Sequence, residues 1–147
     1  MKSLTYTMSI GCPPQRVWDA MVDPGRYREW AKAFSPNSQF EGDWTEGSFV
    51  TFFDPDIGGT KAVVEEVVAP SRLHAKHIAI VNKDGTEDTE SDDARKWIGV
   101  TETYTLVDSG DSTDLLVEIN THEDYVEMFE KCWPEALRLL KQACEGE

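Results

Sequence analysis

Residues 12–30 read CPPQRVWDAMVDPGRYREW. Pro13-Pro14 opens a helix, because a proline at the first helical position gives up an N–H that has no partner inside the helix. Val17, Trp18 and Met21 give that helix an apolar stripe, and Asp23-Pro24-Gly25 stops it. Tyr27, Trp30, Ala31 and Phe34 form a second short stripe that ends before Pro36. The flanking segments say what two short aromatic helices could serve. Residues 3–10, SLTYTMSI, alternate apolar and polar and predict a strand just before them. From residue 38 onward the period is two. Strands are predicted at 38–44, 48–54, 60–68, 72–82, 96–107 and 113–121. Glu46-Gly47, Asp54-Pro55-Asp56 with Gly58-Gly59, Pro70-Ser71 and Asp108-Ser109-Gly110-Asp111 supply turns between them. No run of helical length separates these strands, so the sheet is expected to be antiparallel.

The chain closes on a predicted helix from about Glu123 to Glu145. Val126, Phe129, Trp133, Ala136, Leu137, Leu140 and Cys144 recur on one face of it. Glu123 and Asp124 lie at its start, where the helix dipole favours anions. Pro134 removes one internal hydrogen bond, so it should kink the helix or mark where the regular part begins. The order is strand, two short helices, six strands, long helix: an α+β chain without repeat or linker, read as one domain over residues 1–147.

Composition narrows the function. Against 14 basic residues stand 28 acidic ones, a net charge of −14. Such a surface repels phosphate backbones and anionic membranes, which argues against nucleic-acid or lipid-surface binding. Solubility alone is the simplest use of that charge. No apolar run approaches the roughly 18 residues of a membrane span, and MKSLTYTMSIG lacks the apolar core of a signal peptide. A cytoplasmic protein is expected. Cys12, Cys132 and Cys144 make no CxxC pair. On one straight helix Cys132 and Cys144 lie about 18 Å apart, beyond disulfide reach.

Residues 82–96, NKDGTEDTESDDARK, hold six acids between positions 84 and 93 and are expected to form a mobile, solvated hairpin loop. The ligand spacing of an EF-hand is absent, so calcium is not expected there. Asp54 and Asp56 are explained by their turn without a cation. No HxxxH, HExxH, Cys/His cluster, GxSxG elbow or Gly-rich phosphate loop occurs, so neither a metal, a cofactor nor a catalytic motif is predicted.

Several stretches together resemble the START-like superfamily, also called SRPBCC or polyketide cyclase/dehydrase. They are PPQRVWDAMVDPGRYREW, EGSFVTFFDPDIGG, VVEEVVAPSRL, TETYTLVDSGDSTDLLVEINTH and WPEALRLLKQ. Within it, the chain is most similar to homologues of the heat-shock-protein-90 ATPase activators. The resemblance covers nearly the whole chain in order. It implies a helix-grip (Bet v 1-like) fold: a curved antiparallel sheet of about seven strands around the C-terminal helix, with the two short helices closing one end. It also implies a cavity between sheet and helix for a small apolar or amphipathic ligand. A cyclase/dehydratase-type enzyme using the same cavity is the alternative. A co-chaperone role is a weaker one, because the chain lacks room for the additional N-terminal domain of the eukaryotic activators. A homodimer is compatible with the resemblance, although no sequence feature demands it.

With the family's register, Leu73, Ala75, His77, Ala79 and Val81 face inward on one strand. Val100, Glu102, Tyr104 and Leu106 do so on the next, followed by Leu115, Val117, Ile119 and Thr121. The ligand-contacting candidates are Trp30, Phe34, Phe52, His77, Ala79, Glu102, Tyr104, Phe129, Trp133 and Leu137. Trp18 is expected to complete the core. Trp30 is read either as core or, with Phe34, as part of a cavity mouth. Small Ala75 and Ala79 leave room. His77 and Glu102, if both inward, would meet as a pair able to orient a polar ligand group or move a proton. The general exposure of charged residues favours the other reading, with Glu102 on the outer face, solvated or paired to a lysine. Tyr104 offers a hydroxyl to a ligand or to water. His74 is expected to face solvent, and His122 to help the last helix begin.

Overall fold

The computed structural model describes residues 1–146. Its sheet has eight antiparallel strands. These are β1 (Lys2–Ile10), β2 (Gln39–Gly42), β3 (Phe49–Asp54), β4 (Gly58–Val68), β5 (Arg72–Asn82), β6 (Glu87–Asp88), β7 (Thr101–Asp108) and β8 (Thr113–Thr121). Their order is β1-β8-β7-β5-β4-β3-β2, with the two-residue β6 added beside β5. The helices are α1 (Pro14–Val22), α2 (Pro24–Ala31), α3 (Asp92–Trp97) and α4 (Val126–Glu145), the last preceded by a 3-10 turn at Glu123–Tyr125. The helix-grip architecture implied by the resemblance is present.

The turn between α1 and α2 follows from its side chains. Asp23 ends α1, and its carboxylate accepts the Arg26 backbone N–H at 2.9 Å to cap α2. Pro14 and Pro24 occupy first-turn positions. The Trp30 indole N–H donates to the Ala20 carbonyl at 2.9 Å and ties the two helices together. Helical structure ends at Ala31, so Phe34 sits in the following turn and not on a helix face.

α4 lies in the hollow of the curved sheet. Phe129, Trp133, Ala136, Leu137, Leu140 and Cys144 are buried along it. Leu115, Val117, Ile119 and Thr121 of β8 are all buried on the opposing wall, as their parity requires. Two bulges bend the longest hairpin: Glu65 is the extra residue on β4 and Ile78 on β5. Gly59 is required by close packing, because a Cβ there would meet the Phe52 carbonyl oxygen at 1.8 Å. The chain ends meet at Cys12 and Cys144, both buried with their thiols hydrogen-bonded to each other; burial pushes Cys144 up to about 12.

Three expectations are corrected. Residues 82–96 turn as a hairpin but are more than a solvated loop: Glu87 and Asp88 pair with Val81 and Ile80, and Ser91 caps α3 through the Ala94 N–H at 3.1 Å. Asp92 and Asp93 in the first turn and Arg95 and Lys96 in the last complement the dipole of α3. The strand expected at 96–107 therefore begins at Thr101. Pro134 does not open the regular part of the last helix, which runs unbroken through it from Val126.

Candidate ligand cavity

A cavity of about 310 Å³ lies between the sheet and α4, within the size range of small-molecule sites. Trp30 and Phe34 form one end, Phe52 and His77 line the sheet side, and Trp97 of α3 closes the far edge. Glu102 and Tyr104 of β7 lie on the floor, facing Met128, Phe129 and Trp133 of α4. Around the mouth stand Ser35, Ser38, Asp54 and the exposed Ile57.

The rings interlock. Trp133 lies 6.1 Å from Trp30, 5.2 Å from Phe34 and 5.9 Å from Tyr104, centroid to centroid. His77 is 5.8 Å from Phe52 and 5.4 Å from Trp97. Trp97 in turn stacks on Tyr125 at 4.6 Å.

Polar chemistry concentrates at one place. Glu102 and Tyr104 are two apart on β7, so they share its inner face. The Tyr104 hydroxyl donates to Glu102 Oε2 at 2.9 Å. His77 Nε2 stands 3.3 Å from Glu102 Oε1, an ion pair when the ring is protonated. The angle is poor, however, and neither His77 ring nitrogen has a directed hydrogen bond. The Trp133 indole N–H is likewise buried without a partner. Burial pushes the Glu102 carboxyl up, but the adjacent His77 ring and the Tyr104 hydroxyl outweigh it, holding it below the usual glutamate range. Burial, followed by the Glu102 charge, holds the Tyr104 phenol well above its ordinary value.

At the mouth, Asp54 accepts from the Ser35 hydroxyl, from the Asn37 N–H at 3.1 Å and from the Asp56 N–H at 2.9 Å. Those donors, Ser35 first, hold its carboxyl below the usual range.

Of the residues singled out from sequence, Trp30, Phe34, Phe52, His77, Glu102, Tyr104, Phe129 and Trp133 come together around this space. Ala79 and Leu137 are buried elsewhere, Leu137 in the core beneath α4. The outward reading of Glu102 is overturned: its side chain is 13% exposed and faces His77. Trp18 belongs to the core. His74 is half-buried on the other face, bonded to Thr103 Oγ1 at 2.6 Å. His122 caps the 3-10 turn through the Asp124 N–H at 3.0 Å, as expected. Among the described residues no group of His, Cys, Asp or Glu is arranged to hold a metal.

The family model for Activator of Hsp90 ATPase homolog 1-like protein matches residues 11–145. The chain belongs to that family. No curated protein matches it significantly. Solved structures similar to this family member include a protein from Mesorhizobium loti, 16% identical with a TM-score of 0.78 over 97% of this chain and 96% of that one. The Aha1 dimer from Colwellia psychrerythraea is 17% identical with a TM-score of 0.73, covering 99% and 97%. CalU16 from Micromonospora echinospora is 21% identical with a TM-score of 0.68, covering 97% and 76%. These likenesses show the fold of this chain.

Trp97, Met128 and Asp54 were not anticipated at the cavity. Trp97, expected on a strand, stands on α3; the signal for that helix is Ser91 followed by two acids, a helix start. Asp54 read as a turn residue and is one, but the turn lies at the cavity mouth.

Proposed function

We propose that the chain binds a small apolar or amphipathic molecule in the space between the sheet and α4. The observation that supports this reading is an aromatic-walled cavity of about 310 Å³ with one buried polar cluster, Glu102, His77 and Tyr104. Ring faces contribute affinity through apolar area, about 25 cal/mol per Å² covered before the costs of binding. The polar cluster orients the ligand: the His77 nitrogens lack directed partners and offer them to a ligand group. In this reading residues 1–147 act as one cytoplasmic unit. A homodimer, as in the Aha1 structure from Colwellia psychrerythraea, is compatible with it. Native mass spectrometry of freshly purified protein, followed by denaturation and identification of any released molecule, tests the binding. A specific apolar or amphipathic mass is the expected result. Absence of one, together with no thermal shift across a panel of lipids and aromatic molecules, would remove the reading.

A second reading is favoured by the His77–Glu102 contact itself. A carboxylate beside an imidazole in an aromatic-walled cavity is suited to proton transfer, as in a cyclase or dehydratase. His77→Ala and Glu102→Ala discriminate between the two. Turnover lost with binding retained supports catalysis, and no turnover by any form leaves a binder. Activation of a heat-shock-protein ATPase, which the family's name carries, is tested by an ATPase assay with and without the protein.

A further inference from the structure

Resting on that binding reading, we infer the charge of the ligand: the cavity takes an organic cation, a protonated amine on an apolar body. Three observations converge on it. The first is the charge of the wall. Among the described residues, two carboxylates, Glu102 on the floor and Asp54 at the mouth, line the cavity, and no lysine or arginine does. His77 is the single basic side chain, so even a protonated ring leaves the two acids in excess. A carboxylate or phosphate headgroup, as on a fatty acid or phospholipid, finds no guanidinium or ammonium partner there.

The second is what surrounds the inner carboxylate. Glu102 sits between His77 and Tyr104. The His77 ring is 5.4 Å from Trp97 and 5.8 Å from Phe52, and the Tyr104 ring is 5.9 Å from Trp133. An acid ringed by aromatic side chains suits an ammonium group: the rings attract it through their quadrupoles, and the acid takes its N–H donors. The third is unused hydrogen-bonding capacity. His77 is 2% exposed, yet neither ring nitrogen has a directed partner, and a neutral ring offers one of them as an acceptor for an ammonium N–H. Outside the cavity, the net charge of −14 draws cations toward it and repels anions.

The test uses three probes with one body and different heads: naphthylethylamine, naphthylethanol and naphthylpropionate, titrated calorimetrically into the full chain at neutral pH and low salt. The expected order is amine, then alcohol, then carboxylate, with the amine about tenfold tighter than the alcohol. Glu102→Gln keeps the side chain's shape and removes its charge. It should bring the amine to within about threefold of the alcohol measured on the same variant. An amine no tighter than the alcohol, or a carboxylate tightest of the three, overturns the cation and leaves the apolar-ligand reading standing. Failure of all three probes to bind overturns the cation, while the apolar-ligand reading stands or falls on the co-purified mass and the thermal-shift panel. The ranking on the unmodified protein decides the question even where Glu102→Gln does not fold.

Discussion

Tyr104 shows what one side chain does here. Its hydroxyl donates to Glu102 inside a protein wall, and a hydrogen bond to a buried charge is worth more than one on the surface. Tyr104→Phe should therefore cost about 2 kcal/mol near pH 7. The sign with pH follows from Glu102, whose carboxyl is held below its ordinary value in the folded protein. Its stabilisation is present above the unfolded carboxyl value, about pH 4.3, and is lost as pH falls through the folded one. The difference between Tyr104→Phe and wild type should shrink once Glu102 is protonated in both, and urea unfolding near pH 7 and near pH 3 reads it. An equal difference at both values would mean that the phenol stabilises by packing alone. Glu102 also marks where residue-level reading stopped. Strand parity placed it inward beside Tyr104, while the usual exposure of charged residues placed it outward. The compensation that makes burial tolerable, one phenol and one imidazole from another strand, is a tertiary fact that a single chain of letters does not display.

Among the elements, the period-two strands and the stripe of α4 were readable because burial on one face leaves its period in the letters. The short α3 was not, since its two inward side chains, Ala94 and Trp97, are too few to form a stripe and its remaining letters are charged. Its start signal, Ser91 with Asp92 and Asp93, lay inside an acidic run that suggests solvation. The cavity lists show the same limit. Leu137 has the inward parity of its helix, but the cavity occupies only part of that face, while the bulge at Ile78 turns Ala79 to the face it shares with Lys61. Pro134 gives this scale its prediction. It lies exposed in the interior of α4, where it supplies no N–H to the Glu130 carbonyl. Pro134→Ala restores that donor and relieves the ring's clash. Against this, it frees the unfolded chain by about 0.4–1 kcal/mol. The balance should be a gain of about 1–2 kcal/mol, read as a higher Tm. A lower Tm would mean that the helix geometry around Pro134 is itself needed for packing against the sheet.

For the whole molecule, acidic charge opposes compactness. With a net charge of −14 the folded state carries more self-repulsion than the expanded one. Raising sodium chloride from about 0.05 M to about 0.5 M shortens the screening length severalfold and should raise Tm by a few degrees. A flat response would mean that losses at Lys61–Glu87, Lys96–Asp124 and the other exposed ion pairs cancel the gain. The wall of the cavity has a further property at this scale. β5 and β7 pair from Arg72 to Lys76 against Thr101 to Thr105, His77 adds backbone bonds to Val100 and Gly99, and beyond that the two segments part. α3 fills the parting, tethered to the start of the last helix by Lys96–Asp124 at 2.6 Å and by Trp97 on Tyr125. On the sheet side the rest of the wall is a backbone ladder; here side chains of a short helix close a seam in it. Opening that seam breaks the Lys96–Asp124 pair, the Tyr125–Asp93 hydrogen bond and the contacts of Trp97 with His77, Tyr125 and Phe129, and leaves the pairing of β5 with β7 intact. Amides of residues 92–98 should therefore exchange with deuterium well before those of β5 and β7, and a bound molecule touching Trp97 should slow them. If exchange follows that order, the way into the cavity lies beside a six-residue helix whose letters look like a loop.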